Sequence, residues 1–204
     1  MINKTITDFS NATNARRCLP LKIYIACLAL HSKGEEHGEW INANQSVKAL
    51  KKAAQRMLAT SPAGAEAVYW TILKTEGFEP LAIDPFSSLD LISRLAAFII
   101  EHGELGAALI DRFYDDDLGV ALLEKAQRLI ARGYHGVHPS KLEFVEHFFP
   151  IPPPLSSLLK PDALHNLITH HLFNANFFTL DVSDQLHVFS RYQTLDPFES
   201  RPLN

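Results

Sequence analysis

The sequence predicts an α+β protein that is elongated and built from three small units in line. Segments rich in β-branched and aromatic residues stand toward both ends of the chain, while helical periodicity fills the middle of its 204 residues. The expected parts are a flexible N-terminal arm at residues 1–20, a β-β-α-β unit at 21–82, a helical middle unit at 83–132 and an α-α-β-hairpin unit at 133–204.

The first unit is predicted from strand-like segments that enclose one amphipathic segment. A run of eight apolar residues from Ile23 to Leu30 is typical of a buried strand. The expected elements are a strand at 21–30, a short partner strand at 39–41, a helix capped by Asn44 or Ser46 that ends near Ala59, and a third strand at 68–74.

The middle unit is expected to contain three helices, at residues 88–102, 104–114 and 118–132. Ser87 is a suitable cap for the first helix, and Asp90 in its first turn favours the positive end of the helix dipole. Gly103 and Gly133 mark helix ends. The buried stripe of the first helix is expected to consist of Leu91, Leu95, Phe98 and Ile99.

The last unit is predicted from a capping box, a proline-rich spacer and a hairpin signal. Ser140 followed by Glu143 is a capping box that opens a helix ending at Phe149. Pro161 suits the first turn of a second helix that ends at Phe173. The remaining expected elements are a polyproline-like spacer at 150–154 and strands at 177–182 and 185–192 that flank the turn Ser183-Asp184.

Composition and charge exclude several classes of protein. Hydrophobic residues make up 47% and charged residues 21%, which are ordinary globular values, so disorder is not expected for most of the chain. The 19 Lys and Arg against 23 Asp and Glu give a net charge of −4, unlike the basic balance of a protein that grips phosphates. Two cysteines without a C-x-x-C motif fit a reducing cytoplasm, and the longest apolar run is too short to span a membrane.

Negative charge is concentrated in the second part of the chain. Residues 1–82 carry a net charge of +3, residues 83–132 a net charge of −4 and residues 133–204 a net charge of −3. The densest cluster is 115–117, three consecutive aspartates, with Asp111 before it. The cluster lacks the alternating spacing of a calcium loop. A solvated turn between helices explains it, and an acidic surface that imitates phosphates is the alternative.

No motif for catalysis or metal binding is found in the sequence. A G-x-S-x-G elbow, a Walker loop, a G-x-G-x-x-G loop and an H-E-x-x-H pair are all missing. His135 and His138 are three residues apart but are expected in a turn rich in Gly and Pro, and the adjacent His170 and His171 cannot face one ion from a regular helix. The ten histidines are therefore expected to be ordinary surface or core residues.

Two further sets of residues have simple structural explanations. The basic stripe of the helix predicted to end near Ala59 consists of Lys48, Lys51, Lys52 and Arg56. A solvated helix face explains the stripe, and contact with phosphate is the alternative. Three aromatic residues are expected in the core because they fall in predicted strands, namely Trp40, Tyr69 and Trp70.

A series of short motifs runs along the chain between residues 23 and 189. In order they are Ile23-Tyr24-Ile25-Ala26-Cys27-Leu28-Ala29, His37-Gly38-Glu39-Trp40-Ile41, Met57-Leu58-Ala59 with Ser61-Pro62, Glu76-Gly77-Phe78, Ser88-Leu89, Glu101-His102-Gly103, Tyr134-His135-Gly136 with Ser140, and His187-Val188-Phe189. This ordered set resembles the ArdA-type antirestriction family, whose H-G-x-W-[IV] signature matches the second motif.

The resemblance implies a catalytically inert inhibitor that is encoded on a mobile genetic element and works in the cytoplasm. It implies a curved homodimer whose acidic surface imitates bent DNA and occupies the DNA groove of a type I restriction-modification enzyme, blocking restriction and often methylation. It implies no cofactor, no metal, no membrane and no direct contact with nucleic acid. Clustering and family position select the residues of the acidic partner-binding surface, namely Glu101, Glu104, Asp111, Asp115, Asp116, Asp117, Glu124, Glu143 and Glu146.

Two other functions stay open at this point. The net charge of −4 is less negative than is typical of the family, and His135, His138 and Lys141 stand where family members carry carboxylates. A module of the same fold could bind a defence complex or a regulator through its aromatic and histidine-rich last unit, without imitating DNA. A metal-dependent enzyme is the third hypothesis, and it predicts that metal stays bound after purification.

Overall fold

The fold is known from a computed structural model that describes residues 20–114, 119–150 and 161–191. Close packing divides the chain into two units, of which the first ends at Gly103 and the second begins at Glu104. Both units combine helices with a small antiparallel sheet, which confirms the α+β class. The predicted arm before residue 20 and the spacer after Pro150 lie outside the described residues. The division into three units stays a prediction.

The first unit is built on a three-stranded antiparallel sheet with the strand order β2-β1-β3. Buried Ile23 and Ile25 of the central strand share the core with Leu50 and Met57 of the adjacent helix. The elements are β1 (Lys22–Cys27), α1 (Leu28–His31), β2 (Gly38–Asn42), α2 (Val47–Ala59), a 3-10 turn (Gly64–Glu66), β3 (Trp70–Glu76) and α3 (Leu89–Arg112), which continues into the second unit.

Helix ends in the first unit follow the polar residues that can cap them. The hydroxyl of Ser46 accepts a hydrogen bond from the backbone N–H of Ala49 at 3.3 Å, so Ser46 is the cap of α2. At α3 the hydroxyl of Ser88, and not that of Ser87, accepts the bond from Leu91 N–H at 3.2 Å. Gly103 leaves the helical conformation with φ of 63°, which separates the two predicted helical segments.

Three expectations for the first unit are wrong. The strand predicted at 21–30 ends at Cys27, because the apolar run continues as the short helix α1 and hydrophobicity alone does not distinguish a strand from a helix. Trp40 is 46% exposed because its strand, β2, lies at the edge of the sheet. Tyr69 is 69% exposed and lies just before β3 begins. Trp70 is half-buried.

The second unit is built on a second antiparallel sheet with the order β4-β6-β5. Strand β4 was not expected, and it corrects the assignment of His135 and His138 to a turn. The strand was not predicted because it contains Gly136, which has a φ of +89°, and a glycine in so short a segment is typical of a turn. The elements after α3 are α4 (Val120–Arg128), a π turn (Leu129–Gly133), β4 (Tyr134–His138), α5 (Lys141–Phe148), α6 (Pro161–Ala175), β5 (Phe177–Val182) and β6 (Gln185–Ser190).

The π turn replaces the last turn of the helix predicted at 118–132. A Cβ atom on Gly133 would lie 3.3 Å from Leu129 Cδ2 and 3.4 Å from the backbone oxygen of Ser190. Glycine therefore lets the end of this turn pack closely against β6 before the chain enters β4.

The Ser140 cap and the hairpin of the second unit are confirmed. Ser140 Oγ accepts a hydrogen bond from Glu143 N–H at 3.1 Å, and α5 begins at the next residue. Ser183 and Asp184 have φ of 50° and 59°, the left-handed pair that a two-residue type I′ turn requires. The turn fixes the pairing of β5 with β6, in which Val182 lies opposite Gln185.

An aromatic cluster fills the core of the second unit. Phe144 of α5 is fully buried, and its ring lies 5.1 Å from that of Phe177 in β5 and 5.7 Å from that of Phe173 in α6. One side chain therefore joins two helices and the sheet.

Replacing Phe144 with Ala is expected to reduce the free energy of unfolding by about 3–5 kcal/mol, because it leaves a cavity where three elements meet. Urea unfolding of both variants measures the loss. Phe148→Ala is the matched control, since this ring is 46% exposed and its removal should cost much less. Equal losses for the two variants would contradict a core centred on Phe144.

A polar contact joins β4 to β6 inside the second unit. The Tyr134 hydroxyl lies 2.8 Å from Nδ1 of His187, whose side chain is 8% exposed. Burial lowers the pKa of His187, and the nearby carboxylate of Asp181 opposes this shift. Burial also lowers the pKa of His135, and the charge of His138 adds to the effect. Both side chains favour the neutral form in the folded protein.

The free energy of unfolding is expected to fall on acidification through the ordinary histidine pKa of 6.5. Below that pH the unfolded chain binds more protons than the folded chain. The free energy of unfolding is therefore largest above the ordinary histidine pKa and decreases as the pH falls toward the lower pKa values of the folded state. Urea unfolding between about pH 7.5 and about pH 5.5 measures the slope. His187→Gln should flatten the slope, with His31→Gln, a surface histidine of the first unit, as the matched control. An unchanged slope in the His187 variant would refute this assignment.

Candidate partner-binding surface

The carboxylates selected from the sequence are exposed wherever the structure describes them. Six of the nine lie in described residues, and every one is exposed: Glu101, Glu104, Asp111, Glu124, Glu143 and Glu146. The cluster at 115–117 lies outside the described residues, so Asp115, Asp116 and Asp117 stay a prediction. Glu101 belongs to the first unit and the other five belong to the second.

Two of these carboxylates share one face of α3. Glu104 and Asp111 are seven residues apart in the helical segment after Gly103, a spacing that places them on the same side. Ser183 in the β5–β6 turn donates a hydrogen bond from its hydroxyl to the Glu104 carboxylate. Asp111 has no side-chain partner among the described residues.

Helices α4 and α5 carry the other three carboxylates of the second unit. Glu124 lies 3.9 Å from the guanidinium of Arg128, one turn later on α4, and both side chains are exposed. Glu143 and Glu146 are three residues apart and so share one side of α5. Glu146 Oε1 lies 3.6 Å from Nδ1 of His165 in α6.

A histidine follows Glu101 directly in the sequence. The Oε2 atom of Glu101 lies 3.9 Å from Nε2 of His102. Burial lowers the pKa of His102, and the Glu101 carboxylate opposes that shift. Near neutral pH the imidazole is therefore mainly uncharged and does not neutralise its neighbour.

The arrangement can offer negative charge to a cationic partner at little cost. An exposed pair such as Glu124 with Arg128 contributes between about 0 and 1 kcal/mol, so an approaching Lys or Arg can replace the internal partner. Asp111 and Glu143 have no internal ion pair to break within the described residues. The site is thus suited to accept hydrogen bonds from guanidinium and ammonium groups.

Two carboxylates at this surface were missed by sequence reasoning. Asp181 and Asp184 are exposed in the hairpin whose Ser183 hydroxyl contacts Glu104. The turn itself was predicted, so its acidic residues were available as a signal. The contact of this hairpin with α3 could not be predicted, because Ser183 and Glu104 are 79 positions apart in the sequence.

Two other kinds of feature are absent from the described parts of the chain. No group of three or more His, Cys, Asp or Glu side chains there could hold a metal ion. Nor does any of the helices described combine the length and the apolar character needed to cross a membrane.

Several motifs that carry the family resemblance contact one another in the structure. His37 Nε2 lies 2.9 Å from the backbone oxygen of Met57, which joins the second motif to the third. A Cβ atom on Gly38 would lie 2.3 Å from the backbone oxygen of Ile25, so the second motif needs glycine where it crosses the first. The Tyr134–His187 contact joins the seventh motif to the last.

Comparison with known proteins agrees with these motifs. A protein-family model described as antirestriction protein (ArdA) matches residues 23–149, which is more than half of the chain. No curated protein matches the chain in sequence. The last motif, at residues 187–189, lies beyond the matched range but is tied to it through Tyr134. The chain therefore belongs to the ArdA antirestriction family.

Proposed function

We propose that this chain inhibits type I restriction-modification enzymes by offering carboxylates where the enzyme binds DNA phosphates. The observation that carries the proposal is the exposure of all six described carboxylates that were selected for partner contact. Membership of an antirestriction family supplies the biological context. The acidic cluster at 115–117 is the proposed centre of this surface.

The physical basis is phosphate recognition with the roles reversed. An enzyme that binds DNA places Lys and Arg along its groove and gains affinity when phosphates release their counterions. A protein whose carboxylates have a similar spacing gains affinity for the enzyme in the same way. A rigid imitation of bent DNA also avoids the cost of bending a duplex, which is about 1–6 kcal/mol.

The uneven distribution of charge along the chain supports imitation of DNA by the second unit. Residues 104–204 contain 13 Asp and Glu against 8 Lys and Arg, a net charge of −5, while residues 1–103 have a net charge of +1. The low net charge of the whole chain is therefore the sum of a nearly neutral first unit and a clearly negative second unit. The region proposed to meet the enzyme is more acidic than the total indicates.

The same proposal includes the setting in which the protein acts. The chain works as a homodimer in the cytoplasm, without catalysis or a cofactor, and its gene travels on a mobile genetic element. By filling the DNA groove it blocks restriction, and it blocks methylation wherever the same groove serves both reactions.

Phage plating tests the proposal directly. Expression of the chain in cells with a type I enzyme is expected to raise the plating efficiency of unmodified phage toward that on cells without the enzyme. Inhibition of the purified enzyme should weaken steeply as ionic strength rises, because exposed charge pairs are screened by salt. Full restriction in the presence of the expressed chain would refute the proposal. Inhibition that is insensitive to salt would favour a module that binds without imitating DNA.

Reversing the acidic cluster is expected to abolish inhibition without unfolding the chain. The variant Asp115→Lys, Asp116→Lys and Asp117→Lys changes the charge by the same amount as a control with Glu35→Lys, Glu36→Lys and Glu79→Lys, which are exposed in the first unit. The control should retain inhibition, and circular dichroism should show both variants folded. Full activity of the cluster variant would remove 115–117 from the mechanism.

A further inference from the structure

Within the described residues, strand β2 leaves one edge of the first sheet unpaired. It is the outer strand in the order β2-β1-β3. Backbone hydrogen bonds from Cys27 N to His37 O, and from Ala43 N to Leu21 O, fix which residues of β2 face β1. In an antiparallel ladder the alternate residues face the other way, so Gly38 and Trp40 direct their N–H and C=O groups outward. Neither residue has a backbone partner on that side among the described residues.

The free stretch of edge has a defined end. The next outward residue, Asn42, already accepts a hydrogen bond on its backbone oxygen from the side chain of Gln45 at 2.6 Å. Two residues therefore remain whose four backbone groups have no partner in the described parts of the chain, which is enough to pair with a short extended segment.

A groove runs beside this edge, between β2 and α2. Its volume is about 350 Å³. Ala49 and Ala53 give it a narrow apolar wall, and Lys52 and Arg56 stand along the same helix. An edge strand next to a helix is the arrangement in which peptide-binding domains accept an added strand, with main-chain bonds for affinity and side-chain pockets for specificity.

The groove is bordered by positive charge. Helix α2 carries four cations and no carboxylate, and Lys48, Lys51 and Lys52 make no ion pair with other described residues. Arg56 is paired with Glu39 of β2 at 2.8 Å, but its side chain is 68% exposed. An exposed pair of this kind can exchange its carboxylate for one from a ligand.

The face of the sheet that is opposite to α2 carries an aromatic surface next to this edge. Trp40 is 46% exposed, and its ring lies 5.5 Å from that of Tyr24 on β1. Ile41, the next residue, is buried on the α2 side. Because side chains alternate along a strand, an added segment would direct every second side chain toward α2 and the others toward Trp40.

We propose that the β2 edge binds an extended acidic peptide segment of a partner protein. The segment pairs with Gly38 and Trp40 through its main chain, directs carboxylates to Lys52 and Arg56, and packs intervening apolar side chains on Trp40. This surface lies in the first unit and is opposite in charge to the acidic surface, so it does not rest on imitation of DNA.

A synthetic peptide tests the proposal on the full chain. The probe is a capped six-residue peptide of alternating Glu and Val, and the control peptide has alternating Lys and Val. The Glu peptide is expected to slow amide hydrogen exchange at Gly38 and Trp40 by at least about tenfold at saturation, since these N–H groups become hydrogen-bonded. The Lys peptide should leave both rates unchanged.

Matched variants identify the groove. Lys52→Gln with Arg56→Gln should weaken binding of the Glu peptide at least about tenfold, because both charge-assisted contacts are lost. Lys48→Gln with Lys51→Gln removes the same charge from the same helix outside the groove and should change affinity much less. Circular dichroism establishes that both variants are folded.

Three results would overturn the proposal. The first is unchanged exchange at Gly38 and Trp40 in saturating Glu peptide. The second is protection of these amides in concentrated protein alone, with a rise in mass by light scattering, which would assign the edge to a second copy of the chain. The third is protection by single-stranded oligothymidine but not by the Glu peptide, which would assign the surface to nucleic acid.

Discussion

The second unit depends on the pairing of β6 with strands on both of its sides. Its partner β5 precedes it directly through a two-residue turn, whereas β4 contacts it from 53 residues earlier, as the Tyr134–His187 pair measures. Closing so long a loop costs conformational entropy that only burial can offset. The buried ring of Phe144 and the contact of Tyr134 with His187 supply burial at this junction. Helix α5, which carries Glu143 and Glu146, contributes Phe144 to this junction and is positioned by it.

The contacts that hold the fold are distinct from those proposed to bind the partner. His37, Gly38, Tyr134 and His187 belong to the motifs that identify the family, and each makes a contact within the fold. The six proposed partner-binding carboxylates that the structure describes are exposed and contribute little to packing. A member of the family can therefore keep its signature while its surface charge changes. This separation explains how a chain with a net charge of −4 can carry the motifs on which the family resemblance rests.

Sequence reasoning succeeded where the signal is local and failed where it is not. The caps Ser46 and Ser140 and the Ser183-Asp184 turn were predicted because each depends on a few neighbouring residues. Strand β4 was missed because its pairing with β6 spans half of the second unit, and its glycine resembles that of a turn.

The exposure of Trp40 was missed for a related reason. Strand propensity does not reveal whether a strand lies at the edge of its sheet, and that position decides which side chains are covered. The same limit applies to the candidate site, whose six described carboxylates are exposed while their role in partner binding stays a prediction. The contact of Glu104 with the distant Ser183 lay beyond prediction.

Net charge is a poor measure of what a partner of this protein encounters. Charges in water are screened within about 8 Å at physiological ionic strength, so a surface acts through its own residues and not through the sum over the chain. On α2 a partner meets four cations without a carboxylate, whereas on α5 it meets Glu143 and Glu146 on one face. The two units therefore suit partners of opposite charge. The net charge of −4 for the whole chain describes neither of these two surfaces.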